Sequence, residues 1–161
     1  MGGGGMDKPQ IIEEKLSLIA WSESLKGLAD DVWFSSFKEG SWGIADVISH
    51  FISWDQFLLD YRLPFIIRSE EIPAVKVDVE EINGVTSRYA RSGITRVSLI
   101  NDFIATRSEV VSQIENIPAE KFHEPIIIGK SSLILSNYFT DLIEHDRTHR
   151  NQINTFLKKH N

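Results

Sequence analysis

The chain has 161 residues, 42% of them hydrophobic, no cysteine and a formal net charge of −6. That length and apolar content suit one domain with its own core, and the missing thiols exclude disulfides, thiolate metal ligands and a cysteine nucleophile within the chain. Lysine and arginine are scattered rather than clustered, which argues against a nucleic-acid partner, and no apolar run approaches the ~20 residues that cross a bilayer. With no signal-peptide pattern at the start, a soluble cytoplasmic protein is expected.

"MGGGG" before a second methionine reads as a leader or cloning scar over residues 1–5, leaving 6–161 as a single domain. A first helix is predicted over 7–28, where Ile11, Leu18, Trp21, Leu25 and Leu28 share a face and Pro9 sits where a missing amide donor costs least. "ADDVWFSSFKEGS" breaks the period. A second helix is predicted over 42–63, apolar at Ile44, Val47, Phe51, Trp54, Leu58 and Tyr61, with Pro64 ending it.

From 64 to 93 the pattern is irregular, except that "VDVEEINGVTSRYA" fits a short helix. A connection this long often carries function, and it can return the chain to the end it came from, so that the next helix runs parallel to the last. The third long helix is predicted over 95–117. Arg107 interrupts its apolar stripe; its stem is expected to pack while its head reaches water or a carboxylate. "EPIIIG" is β-branched, but one run makes no sheet, so a strap against the helices is expected. The last helix is predicted from Ser131 or Ser132, both good caps, to about Lys159. Four long amphipathic helices make an all-α four-helix bundle.

The apolar series of the last helix runs Leu135, Tyr138, Leu142, His145, His149, Ile153 and Phe156, so both histidines are expected to face inward. His50 lies in the same way on the second helix, among Val47, Trp54 and Phe57. Burying an imidazole is unfavourable unless its nitrogens find partners, and two histidines one turn apart can share one metal ion. At ~1.5 Å per residue, His50 lies about 12 Å from the start of its helix and His149 and His145 about 14 and 20 Å from the end of theirs. For antiparallel neighbours these ends coincide, so one shared site is possible. His123 and His160 have no such context and read as solvated.

"GSWGIADVISHFISWDQFLL" and "YFTDLIEHDRTHRNQINTFL" resemble the two signature segments of the DinB-like (DinB/YfiT) four-helix-bundle metalloproteins. Trp42, His50, His145 and His149 fall on that family's tryptophan and three histidines, and the likeness extends over nearly the whole chain from Lys8. The resemblance implies an up-down-down-up bundle with the long connection between helices 2 and 3. It implies His50, His145 and His149 as ligands of a divalent metal, usually zinc or nickel, and a homodimer. One departure is Gly43, where the family often has a serine; the expected cost is a lost helix cap of a few tenths of a kcal/mol.

Three neutral histidines leave a coordination position open, where the metal can acidify water or hold a thiolate. Some relatives are thiol-dependent transferases. The leading expectation is therefore a metal-dependent enzyme that activates an external low-molecular-weight thiol for S-transfer to an electrophilic small molecule, with no catalytic residue assigned beyond the ligands. The alternatives are a metal-dependent hydrolase and a non-enzymatic metal- or small-molecule-binding stress-response protein. Asp46 and Asp141, each one turn before a histidine, are candidates to accept the second ring N–H. Trp54 and Tyr138 are candidate pocket residues, and substrate choice is expected to rest on the 64–93 connection and the "HEPIIIGK" strap.

Overall fold

The computed structural model describes residues 5–160, so the leader assigned to 1–5 lies almost wholly outside the described residues. Helix α1 (Lys8–Glu23) starts at Asp7, whose carboxylate accepts from the Gln10 N–H while the Gln10 side chain accepts from the Asp7 N–H. A 3₁₀ turn (Ser24–Gly27) and short α2 (Asp30–Trp33) lead to α3 (Ile44–Tyr61). Pro64 follows the end of α3 at Tyr61, close to the expected boundary, with Arg62 out of helical conformation (φ −127°). It occupies the first turn of α4 (Leu63–Ile67), where no N–H is needed. Helix α5 (Val79–Ala90) is the short helix expected in the connection, and α6 (Arg96–Glu115) follows.

Two expectations fail before the last helix. "EPIIIG" is not a lone strap: β1 (Pro125–Ile128) pairs antiparallel with β2 (Ser131–Ile134) across Gly129, whose φ of 60° suits a residue without Cβ. Ser131 and Ser132 therefore belong to a strand and cap nothing, and α7 (Leu135–Lys159) begins directly from Ile134.

Side-chain pairs give the helix directions. Along α1 and α7, Met6 meets Thr140, Lys15 meets Asp146 and Trp21 meets Asn154, so the two climb together. Phe51 meets Phe103 and Asp55 meets Arg107, so α3 and α6 are also parallel. Lys8 reaches the carbonyls of Glu115 and Ile117, whereas Arg107 approaches that of Lys15, so α1 and α6 oppose each other. The bundle is up-down-down-up. Helix α5 makes the parallel step from α3 to α6 possible: Ser53 meets Thr86 and Asp46 meets Arg91, so it runs back along α3 and returns the chain to the starting end.

Gly43 has a different reason from a missing cap. A Cβ there would lie 2.0 Å from the Ser35 carbonyl oxygen, because the strand-like bridge between Ser36 and Gly43 presses two backbones together. A serine cannot enter without moving that loop.

The buried side chains form two apolar clusters, one with Leu18, Phe51, Phe103 and Ile153, the other with Ile11, Leu58, Val110 and Ile143. Between them lies a charged layer with one residue from each long helix: Lys15, Asp55, Arg107 and Asp146, all buried. Arg107 donates from Nε to Asp55 at 2.7 Å and from Nη1 to Asp146 at 3.1 Å, and Lys15 donates to Asp146 at 3.2 Å. The arginine head finds not one carboxylate but two. Among the described residues, no helix is long and apolar enough to cross a membrane.

Candidate metal centre

Because α3 and α7 run in opposite directions, His50 and His149 arrive at one level, with ring centres 5.1 Å apart. Both rings are half-buried. Trp42, just before α3, packs edge-on against His50 at 5.1 Å, and Phe51 against His149 at 5.8 Å, which fixes the ring positions. Two imidazoles sharing an ion at metal–nitrogen distances near 2 Å have centres on the order of 5 Å apart. The pair already has that spacing.

His145 departs from expectation. It is exposed, not buried, at the lip of the same cavity, with its ring centre 6.0 Å from that of His149. At this turn the position facing the bundle axis is taken by Asp146, drawn in by Lys15 and Arg107. As the side chains stand, no three His, Asp or Glu among the described residues form a group able to hold an ion.

Burial, with the neighbouring His149 and His145, pushes the His50 pKa down to about 4, and burial also lowers that of His149. Both rings are therefore neutral at neutral pH, the state a metal requires. Each also has a buried Nδ1 with no hydrogen-bond partner, a vacancy that costs ~1–3 kcal/mol where nothing fills it. Neutral imidazoles, each with one unpartnered nitrogen, fit a nitrogen-preferring divalent ion.

The carboxylates expected to support the histidines do not. Asp46 accepts from the Gly43 N–H, from Ser87 and from Arg91 at 2.6 Å, anchoring α5 to the start of α3 rather than orienting His50. Asp141 is exposed, with no hydrogen bond to His145 among the described residues. Burial raises the Asp46 pKa, but the bonds from Arg91, Gly43 and Ser87 outweigh it and hold the carboxyl below its usual range. A carboxyl whose folded pKa is depressed stabilises the fold above its unfolded pKa, and that contribution is lost as pH falls through the folded value. Asp46→Asn is thus expected to cost about 1–2 kcal/mol at pH 7, an amount discounted for the partly exposed Arg91. The gap between variant and wild type should close below pH ~4, which urea unfolding across pH would show.

The histidines open onto a cavity of about 460 Å³, within the usual range for small-molecule sites. Trp54 and Tyr138, the expected pocket residues, both line it. The connection contributes Val77, Val79 and Asn83, as expected, but the hairpin does not reach it; Ile128 instead pairs with Ile72. The charged layer forms the inner wall. Burial and the adjacent Arg107 hold Lys15 below the usual lysine range. Burial opposes the Asp146 carboxylate, yet Lys15 and Arg107 prevail and keep its pKa low. Of these four residues, the sequence singled out Arg107, for its place in an apolar stripe. The same signal was present at Lys15, which stands between Ile11 and Leu18 at helical spacing.

The family model of the DinB superfamily matches residues 20–153. The chain belongs to the DinB superfamily. A solved structure with the same fold is YfiT from Bacillus subtilis, described as a probable metal-dependent hydrolase with an unusual four-helix bundle topology. It is 13% identical, with a TM-score of 0.74 over 94% of this chain and 86% of that one. No curated protein matches the chain.

Proposed function

We propose that this DinB-superfamily chain is a metal-dependent enzyme acting on a small molecule, with a divalent ion held by His50, His145 and His149. The observation that carries this reading is the pair His50 and His149: neutral imidazoles from different helices, with centres 5.1 Å apart, each with a buried and unpartnered Nδ1. His145 completes the set when its exposed side chain changes rotamer and turns in from the lip. An all-imidazole set suits zinc or nickel. Such an ion, when bound, supplies a Lewis acid that brings the pKa of water toward ~7.

The chain's own residues do the rest. Phe51, Trp54 and Leu58 exclude water from the inner cavity, and the charged layer ties the four long helices together so that ligands on α3 and α7 keep their spacing. Asp55 and Asp146 are engaged by Arg107 and Lys15, which leaves neither free as a general base. Hydrolysis is the favoured reaction, supported by what YfiT is described as. S-transfer is the second reading: the chain has no cysteine, so any reacting sulfur must come from an external thiol.

The test begins with metal content of the untagged protein by plasma emission spectrometry. Near-stoichiometric zinc or nickel, absent from the triple variant His50→Ala, His145→Ala, His149→Ala, is the expected result; a wild type that cannot be loaded with any divalent ion would sink the proposal. Screening esters and alkyl electrophiles with and without added thiol then separates the reactions, because hydrolysis proceeds when the thiol is omitted.

A further inference from the structure

The cavity has a second polar end. Three cations line it, and two of them, Lys15 and Arg107, are paired with carboxylates; the third, Arg62, has no ion pair among the described residues. Arg62 sits where α3 gives way to α4. Its guanidinium lies over the Phe57 ring at 4.8 Å, and its Nη1 donates to the Tyr61 carbonyl at 3.2 Å. The Nε–H is buried and has no partner.

Two neighbours on the cavity wall add to this. Asn83, projecting from α5, has a buried side-chain oxygen that likewise accepts nothing. Tyr138 keeps its proton: burial pushes its phenol pKa up, an effect that the charge of Arg62 and a hydrogen bond from its guanidinium only partly offset. Arg62 and Asn83 both line the cavity, and each carries a buried, unsatisfied polar atom, a donor on one and an acceptor on the other, that a polar ligand would complete once the side chains turn toward it.

From this geometry we infer that Arg62 is the carboxylate-binding residue of the substrate pocket. The Nε edge of a guanidinium, with Nη1 already used and one face covered by an aromatic ring, matches the two oxygens of a carboxylate. Asn83 accepts an O–H or N–H elsewhere on the same molecule. The wall between this end and the histidines carries Trp54, Phe57, Leu58 and Leu142, with the paired charges of the layer confined to its inner side. Arg62, the residue that caps the helix carrying His50, follows it by twelve residues, an axial step of ~18 Å. The substrate class is therefore an elongated, mainly apolar carboxylic acid, bound by its carboxylate at Arg62 with its reacting group at the histidines. Only that last clause rests on the proposed metal site; the carboxylate subsite does not.

The test is binding, not turnover. Calorimetry would compare 4-phenylbutyrate and 6-phenylhexanoate with their uncharged amides, using wild type treated with a chelator and the triple histidine variant. The expected result is that at least one acid binds about tenfold or more tightly than its amide in both proteins, and that Arg62→Met removes this preference. Because the acid–amide comparison needs only the wild type, the inference stays testable even where Arg62→Met does not fold. Equal affinity for acid and amide, no binding by either acid, or a folded Arg62→Met that keeps the preference would each overturn it. So would a preference that vanishes in the triple variant, which would put the carboxylate at the histidines. A protein that binds no metal but still prefers the acids would refute the metal site and leave this subsite standing.

Discussion

Arg107→Met is expected to lower the free energy of unfolding by about 3–5 kcal/mol, a large share of the 5–15 kcal/mol typical of a domain. Methionine keeps most of the volume, so the loss is not a cavity effect. It comes from Asp55 and Asp146, which are 3% and 8% exposed and would remain in the core, the first without its cation and the second with Lys15 alone. The two carboxyls must then take up protons or draw in water, and both responses weaken the contact of α6 with α3 and α7. Replacing the whole layer, with Lys15→Met, Asp55→Leu, Arg107→Met and Asp146→Leu together, removes the stranded charges and should recover most of the stability, since well-packed apolar residues generally equal or exceed a buried ion network. Urea unfolding followed by circular dichroism measures both variants. A single variant within 1 kcal/mol of wild type would show that the layer is hydrated and does not tie the helices.

The charged layer also shows why some of this protein could be read from the chain and some could not. The four helices were legible because each depends on its own periodic face, and the parallel step from α3 to α6 was legible because a connection of some thirty residues is long enough to return the chain. Burial of Lys15 was only half legible: its spacing from Ile11 and Leu18 marks the inner face, but in "EEKLS" a lysine beside two glutamates resembles any solvated surface. What buries it is Asp146, 131 residues further on, a pairing that no local pattern records. The same nonlocal choice displaced His145. Helical spacing put His145 on the inner face, with Asp146 one residue further round, and the cations of α1 and α6 selected the aspartate. Ser131 and Ser132 failed for a different reason: capping propensity competes with strand pairing, and pairing with Ile127 and Ile128 prevailed. Gly43 looked like a lost cap because the backbone pressed against it comes from the loop before α3.

His149→Leu is expected to separate stability from function. His149 stands between the other two histidines, 5.1 Å from one ring centre and 6.0 Å from the other, so without it His50 and His145 have no ligand between them. Metal affinity should fall by more than 100-fold, beyond the 10–100-fold typical of losing a residue that only supports a ligand. The metal-free protein should respond in the opposite direction. Its Nδ1 is buried without a hydrogen bond, and leucine replaces that unsatisfied group with apolar atoms beside Phe51. A gain of about 1 kcal/mol follows, or a rise in Tm of about 2–4 °C for a chain of this length. A residue kept for packing would show the reverse pattern, with stability falling and metal content unchanged. Thermal unfolding of chelator-treated wild type and variant, with metal titration of the same samples, tells the two patterns apart. A metal-free variant that melts well below wild type would mean that the His149 ring is a satisfied part of the core, and the stability given up at this position would no longer be an argument for a ligand.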